Sequence, residues 1–352
     1  MKKLLALALT CALSVSLMAC GSTAGTENEE VETKKVVTEV ESSNTTEETA
    51  VEATEEVVEE DTGITINYPD HLVQLGFDEP VVLEKKPERV VCMSTYPVLA
   101  LFELGVTPIA LPSTQVISYP EDWEGEILPS MMSDNFDIEM VVSLEPDLVF
   151  MPSSVQEMYG ETLASLNIPV YYMAMTADGL SAYEVIKEQT QELVNAFDPS
   201  SDLMDHFDEV EKELADFETT VEGKSVFALT VAGDALYACG SNGTLGSMLS
   251  MCGLENVYDN ETVAGHGMIE LDMETAIEYT PDIVVVTGSS TAEDNQAMFE
   301  AIVASNEEYW NSIEAVKEGK IIYLPSSYVS TAGLNILTNL EDLMDDLGAA
   351  LN

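Results

Sequence analysis

The chain has 352 residues, with 65 Asp and Glu against 12 Lys and Arg, and carries a formal net charge of -53 at pH 7. A nucleic acid or an anionic membrane surface would repel such a chain, so both are excluded as partners. Hydrophobic residues at 46% and aromatics at 7% are too many for a purely solvating acidic chain, and the length points to two lobes around separate cores.

The chain starts Met1-Lys2-Lys3, continues as an apolar run to Met18, and reaches small residues before Cys20. A basic start, a short apolar segment and a small-residue cleavage point describe a secretory signal over residues 1–19, too short to span a bilayer. Leu17-Met18-Ala19-Cys20 resembles the bacterial lipobox, in which the Cys thiol receives a diacylglyceryl group and becomes the first residue of the mature protein. The expectation is a protein on the extracytoplasmic face of the cell membrane, held there through a lipid on Cys20 alone. Residues 20–62 follow as a Glu/Thr/Ser/Val-rich stretch with 14 acidic residues, two lysines, no Pro and no aromatic residue. It cannot bury enough apolar surface to offset its ordering entropy, which predicts a disordered, self-repelling tether. The signal and tether leave -43 on residues 63–352, so the folded part is itself strongly acidic.

Within that part, apolar β-branched runs bounded by turn residues predict strands over residues 89–93 (RVVCM), 108–111, 147–151 (DLVFM), 170–173, 225–231 (SVFALTV), 282–287 (DIVVVT) and 320–324 (KIIYL). Helical patterns lie between them, at residues 97–104, 155–166 and 244–251. Strands separated by helices imply parallel sheets covered on both faces. Residues 181–221 differ, being helical with no strand and interrupted by Asp198-Pro199-Ser200, where Ser200 or Ser201 would cap the second half. The fold class is therefore α/β, with an N-terminal lobe over residues 63–180, a C-terminal lobe over residues 222–352, and an interlobe helix of about 20 residues between them. Cys92, Cys239 and Cys252 show no metal-ligand spacing and read as small buried hydrophobes, a bridge between Cys239 and Cys252 being the minor alternative.

An internal repeat supports two lobes on related plans. Asp137-Ile138-Glu139 runs into Pro146-Asp147-Leu148-Val149, and Asp272-Met273-Glu274 runs at the same distance into Pro281-Asp282-Ile283-Val284. A Glu in the first turn of a helix has a sufficient explanation in the helix dipole, yet one at the matching place in each lobe also suits a two-fold partner.

Pro87-Glu88-Arg89-Val90-Val91-Cys92-Met93-Ser94, Leu101-Phe102-Glu103-Leu104-Gly105-Val106, Leu144-Glu145-Pro146-Asp147-Leu148-Val149, Cys252-Gly253-Leu254-Glu255-Asn256 and Ala315-Val316-Lys317-Glu318-Gly319-Lys320 together resemble the ABC-transporter substrate-binding proteins for iron-siderophores, haem and vitamin B12. The resemblance covers residues 63–350 and implies two Rossmann-like lobes of parallel sheet joined by one long helix, with the ligand in the cleft between them. It also implies a monomeric carrier and not an enzyme, with no resident cofactor, that delivers a metal chelate to a permease dimer. Glu139 and Glu274 match the positions at which the family docks onto permease arginines.

Ligand contacts in this architecture come from the C-terminal ends of strands and the loops after them. That rule selects Ser94, Thr95 and Tyr96, then Tyr119 and Trp123, Ser153 and Ser154, Tyr237, His266 and Met268, and Ser327 and Tyr328. Tyr119 and Tyr237 match aromatic positions of the vitamin B12-binding members, and Met268 stands where those members have a Trp. Such side chains offer flat apolar walls, although an aromatic near a strand end is often simply core. His266, between two glycines, is a candidate axial metal ligand or hydrogen-bond donor, against the plain alternative of a surface loop His; His71 and His206 read as structural. The eight basic residues of the folded part are Lys85, Lys86, Arg89, Lys187, Lys212, Lys224, Lys317 and Lys320, and none falls at the exit of one of the strands named above. Catecholate or carboxylate siderophores and haem propionates call for basic clusters, so a neutral or cationic chelate fits better: a corrinoid, a hydroxamate ferric siderophore, or haem held through its ring. The competing readings are a nitrogenase-like enzyme, a carrier of free Zn or Mn, and an interaction lipoprotein without a small ligand. The first lacks spaced cysteines, and the second lacks converging histidines.

Overall fold

The computed structural model describes residues 63–241, 243–258, 268–271, 276–329 and 331–351, all within one compact unit, Glu59–Asn352. The signal, Cys20 and the tether lie outside the described residues, as do His266 and Glu274.

The N-lobe is a five-stranded parallel sheet in the order β5-β4-β3-β6-β7, where β3 is Val90–Cys92, β4 Ala110–Pro112, β5 Glu126–Leu128, β6 Leu148–Pro152 and β7 Val170–Met173. Its central strands are continuous apolar runs because both faces are covered. On one face Cys92, Leu148, Phe150 and Tyr171 pack with α2 (Val98–Glu103), and on the other Val91, Val149, Met151 and Tyr172 pack with α3 (Ile138–Val142) and α4 (Gln156–Ser165). A two-stranded antiparallel ribbon, β1 (Ile64–Ile66) with β2 (Val81–Leu83), and the short α1 (Asp70–Val73) complete this part.

The C-lobe sheet is mixed, which corrects the all-parallel expectation. Its order is β11-β9-β8-β12-β13, with β8 Ser225–Ala232, β9 Ala235–Cys239, β11 Met268–Glu270, β12 Ile283–Gly288 and β13 Ile321–Tyr323. β8, β12 and β13 run parallel, but β9 turns back at Gly233 (φ 65°) and pairs antiparallel with the second half of β8. The first half of the same edge is taken by β10 (Glu255–Asn256), which follows α7 (Thr244–Met251). The helices α8 (Ala292–Ser305), α9 (Glu307–Trp310), α10 (Glu314–Lys317) and α11 (Asn335–Leu351) follow in the C-terminal part.

The repeat has a physical role. The Asp147 carboxylate accepts the backbone N–H groups of Glu88 (2.8 Å) and Arg89 (2.9 Å), so it fastens the start of β6 to the start of β3. Asp282 does the same for β12 and β8, accepting Ser225 N–H at 2.9 Å, with Lys224 Nζ 3.4 Å away. Each Pro-Asp pair thus closes the strand starts at the middle of one sheet.

Between the lobes there are two helices of 16 residues, α5 (Ala182–Phe197) and α6 (Leu203–Glu218), in place of the single long helix expected. Pro199 lacks an N–H and keeps Asp198 (φ -153°, ψ 86°) out of helical space, which ends α5. Ser181 and Glu184 form a reciprocal capping box at the start of α5, and Ser201 Oγ accepts Leu203 N–H (3.2 Å) at the start of α6. Both helices join the two cores. Tyr183 and Ile186 of α5 enter the C-lobe core while Leu193 and Val194 enter the N-lobe core; Phe207, Val210 and Leu214 of α6 enter the C-lobe core and Leu203 the N-lobe core. Each fully buried side chain of this kind contributes about 1.5–3 kcal/mol, so lobe separation here would expose several such residues at once.

Candidate functional site

In a parallel sheet all strands end at one edge, and the structure shows that the N-lobe's edge meets the C-lobe. Tyr96, four residues past β3, packs against both cores. The chain returning from β13 to α11 crosses over it: Gly333 (φ 55°) lies so close that a Cβ there would be 2.1 Å from the Tyr96 carbonyl oxygen. Ala332 is buried in the N-lobe core, and Asn335 Nδ2 reaches the carbonyl of Val116 (3.5 Å), in the loop after β4. The loops after β3 and β4 therefore face the segment that follows β13, which sets the C-terminal ends of these N-lobe strands toward the C-lobe.

The predicted residues divide by what their polar atoms already do. Ser94 is buried; its hydroxyl accepts Tyr96 N–H (3.4 Å) and its carbonyl accepts the Cys92 thiol (2.9 Å), so it shapes the loop that presents half-buried Thr95 and Tyr96. Burial pushes the Tyr96 phenol up to about 12, so it stays protonated and able to donate. Tyr119 donates to the Pro112 carbonyl at the end of β4 (2.5 Å), and burial raises its phenol above the usual range. Trp123 meets the Tyr119 ring edge-on at 5.5 Å, but its indole N–H donates to Pro108 (2.7 Å), ahead of β4, and its ring lies over Gly125, where a Cβ would sit 2.1 Å from it. That anchoring holds Trp123 toward the strand starts, while Tyr119 stays at the end of β4.

Ser153 and Ser154 occupy a 3-10 turn (Ser153–Val155) between β6 and α4, Ser153 half-buried and Ser154 exposed. In the C-lobe, register brings two candidates together. Met268 pairs with Cys239 and Glu270 with Tyr237, so Tyr237 and Met268 are diagonal neighbours on one face of the β9–β11 pair, roughly 7–8 Å apart between Cα atoms. Both are half-buried. Ser327 and Tyr328 lie in a 3-10 turn after β13. Here the Ser327 carbonyl accepts Thr331 Oγ1 (2.7 Å) and Asn339 Nδ2 (3.1 Å), and Tyr328, 4% exposed, belongs to the C-lobe core. These two fasten the crossing segment more than they line the cleft.

The cations sit as the sequence placed them. Arg89 donates to the Leu144 and Glu145 carbonyls, closing the end of α3, and Lys187 bridges α5 to Glu211 of α6 (2.6 Å). Lys317 and Lys320 pair with Glu314 and Glu318, ahead of β13. Among the described residues no Lys or Arg follows a strand end of either lobe sheet. His71 Nδ1 lies 2.7 Å from Glu188 and His206 Nε2 3.3 Å from Glu341, structural roles for both. Cys92, Cys239 and Cys252 are free and buried. Among the described residues no group of three or more His, Cys, Asp or Glu is placed to hold a metal ion. A groove of about 360 Å³ beside the edge strand β13, lined by Glu293, Gln296, Tyr323 and Asp346, includes none of the predicted ligand residues.

Glu139 is exposed in the first turn of α3, its N–H donating to the Asp137 carboxylate that caps the helix (3.1 Å). What the sequence reading did not single out are three exposed methionines after N-lobe strands: Met132 (90% exposed), Met158 (67%) and Met175 (51%). Their signal was present only as unexplained Met content, 17 residues in the chain.

Residues 90–328 match the periplasmic binding protein family. An uncharacterized ABC transporter substrate-binding lipoprotein of Bacillus subtilis, YvrC, is 22% identical over 275 residues, 77% of this chain and 83% of that protein. A cobalamin-binding protein of Halobacterium salinarum is 25% identical over 255 residues, 71% of this chain and 66% of that one. Among solved structures, the petrobactin-binding protein YclQ of Bacillus subtilis superposes with a TM-score of 0.64 at 21% identity, covering 82% of this chain and 99% of that one. IsdE of S. aureus, solved with heme, superposes at 0.58 and 19% identity, covering 73% and 98%.

Proposed function

The chain belongs to the periplasmic binding protein family, and from that premise we propose that it is the lipid-anchored, extracytoplasmic binding component of an ABC importer that captures a metal chelate without net negative charge. A corrinoid or a neutral hydroxamate ferric siderophore fits best; haem, whose propionates are anionic, falls outside that charge class and would have to be held through its ring alone. The observation that carries the ligand class is the position of the cations. Every Lys and Arg of the folded part lies ahead of a strand or on the interlobe helices, so nothing at the cleft edge would pair with catecholate, carboxylate or propionate groups. Hydroxyls and amphipathic rings at Thr95, Tyr96, Ser153 and Tyr237 supply hydrogen bonds and apolar contact in their place. His266, as axial ligand or donor, and Cys20, as the lipidated residue, complete the proposal. Docking onto the permease would use Glu139 and its counterpart Glu274; an exposed ion pair contributes only about 0–1 kcal/mol, which orients the encounter more than it holds the complex.

Thermal unfolding of residues 21–352 with cyanocobalamin, cobinamide, haemin, and hydroxamate and catecholate ferric siderophores tests the reading. A ligand at 100 times its dissociation constant stabilises by about 2.7 kcal/mol. Stabilisation by the neutral probes is expected, and stabilisation by the catecholate alone would overturn the charge argument.

A further inference from the structure

We propose that Met132, Met158 and Met175 form a thioether wall on the N-lobe side of the cleft, against which the apolar face of a neutral metal chelate lies. The inference rests on the binding function proposed above and deepens it by naming the surface that meets the ligand. All three residues come from one edge of one sheet. Met132 is four residues past the end of β5, Met158 is in the first turn of α4 just after β6 and its serine turn, and Met175 is two residues past β7. Core packing does not require them. At each place a neighbour fills the interior: Met131 and Tyr159 pack into the core between the sheet and α3/α4, and Met173 is 2% exposed in the core on the other face. The chain thus sets a second large apolar side chain in water three times over, at the C-terminal ends of strands in the sheet whose central strand-end loops face the C-lobe, where a ligand's surface gives the exposure a reason.

The spacing indicates the ligand's size. In the order β5-β4-β3-β6-β7 the two outer strands are four spacings, about 19 Å, apart. The loop after β5 is drawn back toward α4 by the edge-on contact of Phe136 with Tyr159 (5.6 Å). A wall of that breadth suits a macrocycle or wrapped siderophore and exceeds what a bare ion contacts. Unbranched, polarizable Met side chains re-pack around differently shaped partners, so the wall would accept several related chelates. Across the cleft, the half-buried Tyr237 and Met268 continue the same chemistry.

Residues 21–352 carrying ¹³C-methyl methionine, with resonances assigned by single Met→Leu variants, are titrated with cyanocobalamin and with a neutral gallium hydroxamate, and the same samples are followed by thermal unfolding. The expected result is saturable movement of the Met132, Met158 and Met175 methyls at the affinity seen in unfolding, and at least a tenfold loss of affinity in M132Q/M158Q/M175Q with the unliganded melting temperature unchanged. Binding that leaves the three methyls unmoved overturns the wall while leaving the proposed function standing. Absence of binding by both probes overturns the wall together with the corrinoid and hydroxamate reading on which it rests. Methyl shifts that depend on protein concentration alone overturn the wall in favour of self-association.

Discussion

Replacing Gly333 by Ala tests whether the lobes are joined by direct backbone contact at the crossing segment. Two effects add at this position. At φ 55° an L side chain is in the left-handed region, which costs about 1–2 kcal/mol. The new Cβ would also stand 2.1 Å from the Tyr96 carbonyl oxygen and 3.1 Å from its carbon, well inside contact distance. The obstacle is backbone, held on one side by the Cys92 and Ser94 hydrogen bonds and on the other by the Ser327, Thr331 and Asn339 network, so relief needs a main-chain shift costing about 1–3 kcal/mol. The lower entropy of the unfolded Ala variant returns about 0.4–1 kcal/mol. The net expectation is roughly 2–3 kcal/mol of destabilisation, measured by urea unfolding of residues 21–352. Gly319 provides the control: its φ is 69° and nothing lies within 4 Å of where an alanine methyl would sit, so Gly319→Ala isolates the backbone-conformation effect, about 1 kcal/mol after the same entropic return. Equal stability of the two variants would refute the close approach of the lobes at Tyr96.

Three further predictions follow from charge. Burial pushes the Asp282 carboxyl up, but hydrogen bonds from Ser225 and the nearby Lys224 outweigh it and hold the group below the usual carboxylate range. Its stabilisation is therefore present above the unfolded value near 3.9 and lost as pH falls through the lower folded value, so Asp282→Asn should be less stable than the parent at pH 7 and converge with it as pH falls below about 4 in acid unfolding. Asp346 behaves oppositely: burial, then Asp342 and Asp345, raise its carboxyl, so its charge opposes folding at neutral pH and the opposition fades on acidification. Asp346→Asn should stabilise at pH 7 and lose that advantage toward pH 4, and a variant less stable at pH 7 would contradict the assignment. Charge reversal at both Glu139 and Glu274 should abolish stimulation of the permease ATPase while leaving chelate binding intact, and unchanged stimulation would remove both residues from the docking surface.

Much of the fold was legible because a buried parallel strand writes itself locally. The runs VVC, LVFM, VYYM and IVVV leave no polar face, and β7 and α7 fall within the bounds their patterns imply. Pro-Asp in each half marked the strand starts, and its carboxylates turn out to tie the central strands together. Strands whose partner is contributed from elsewhere were not legible. β9 and β11 are short and mixed in character, and they exist as strands because β8 extends far enough past β10 to offer a free edge. The split of the interlobe segment was signalled by Pro199, but that both α5 and α6 would enter both cores depends on where the lobes lie.

The site divides along the same line. Residue types and their order along the chain determined the family resemblance, the acidic balance and the absence of cations after the strands, since each depends only on position relative to local elements. Tertiary structure decided which candidates have free chemistry. Trp123 and Tyr328 carry the residue types of a ligand wall, but Pro108 takes the first one's N–H and the C-lobe core encloses the second. Met132, Met158 and Met175 look like ordinary core residues in sequence and are left in water by the fold. Burial is set by groups distant in the chain, so the sequence could name the chemistry available to the cleft, and only the packed lobes could assign it to particular side chains.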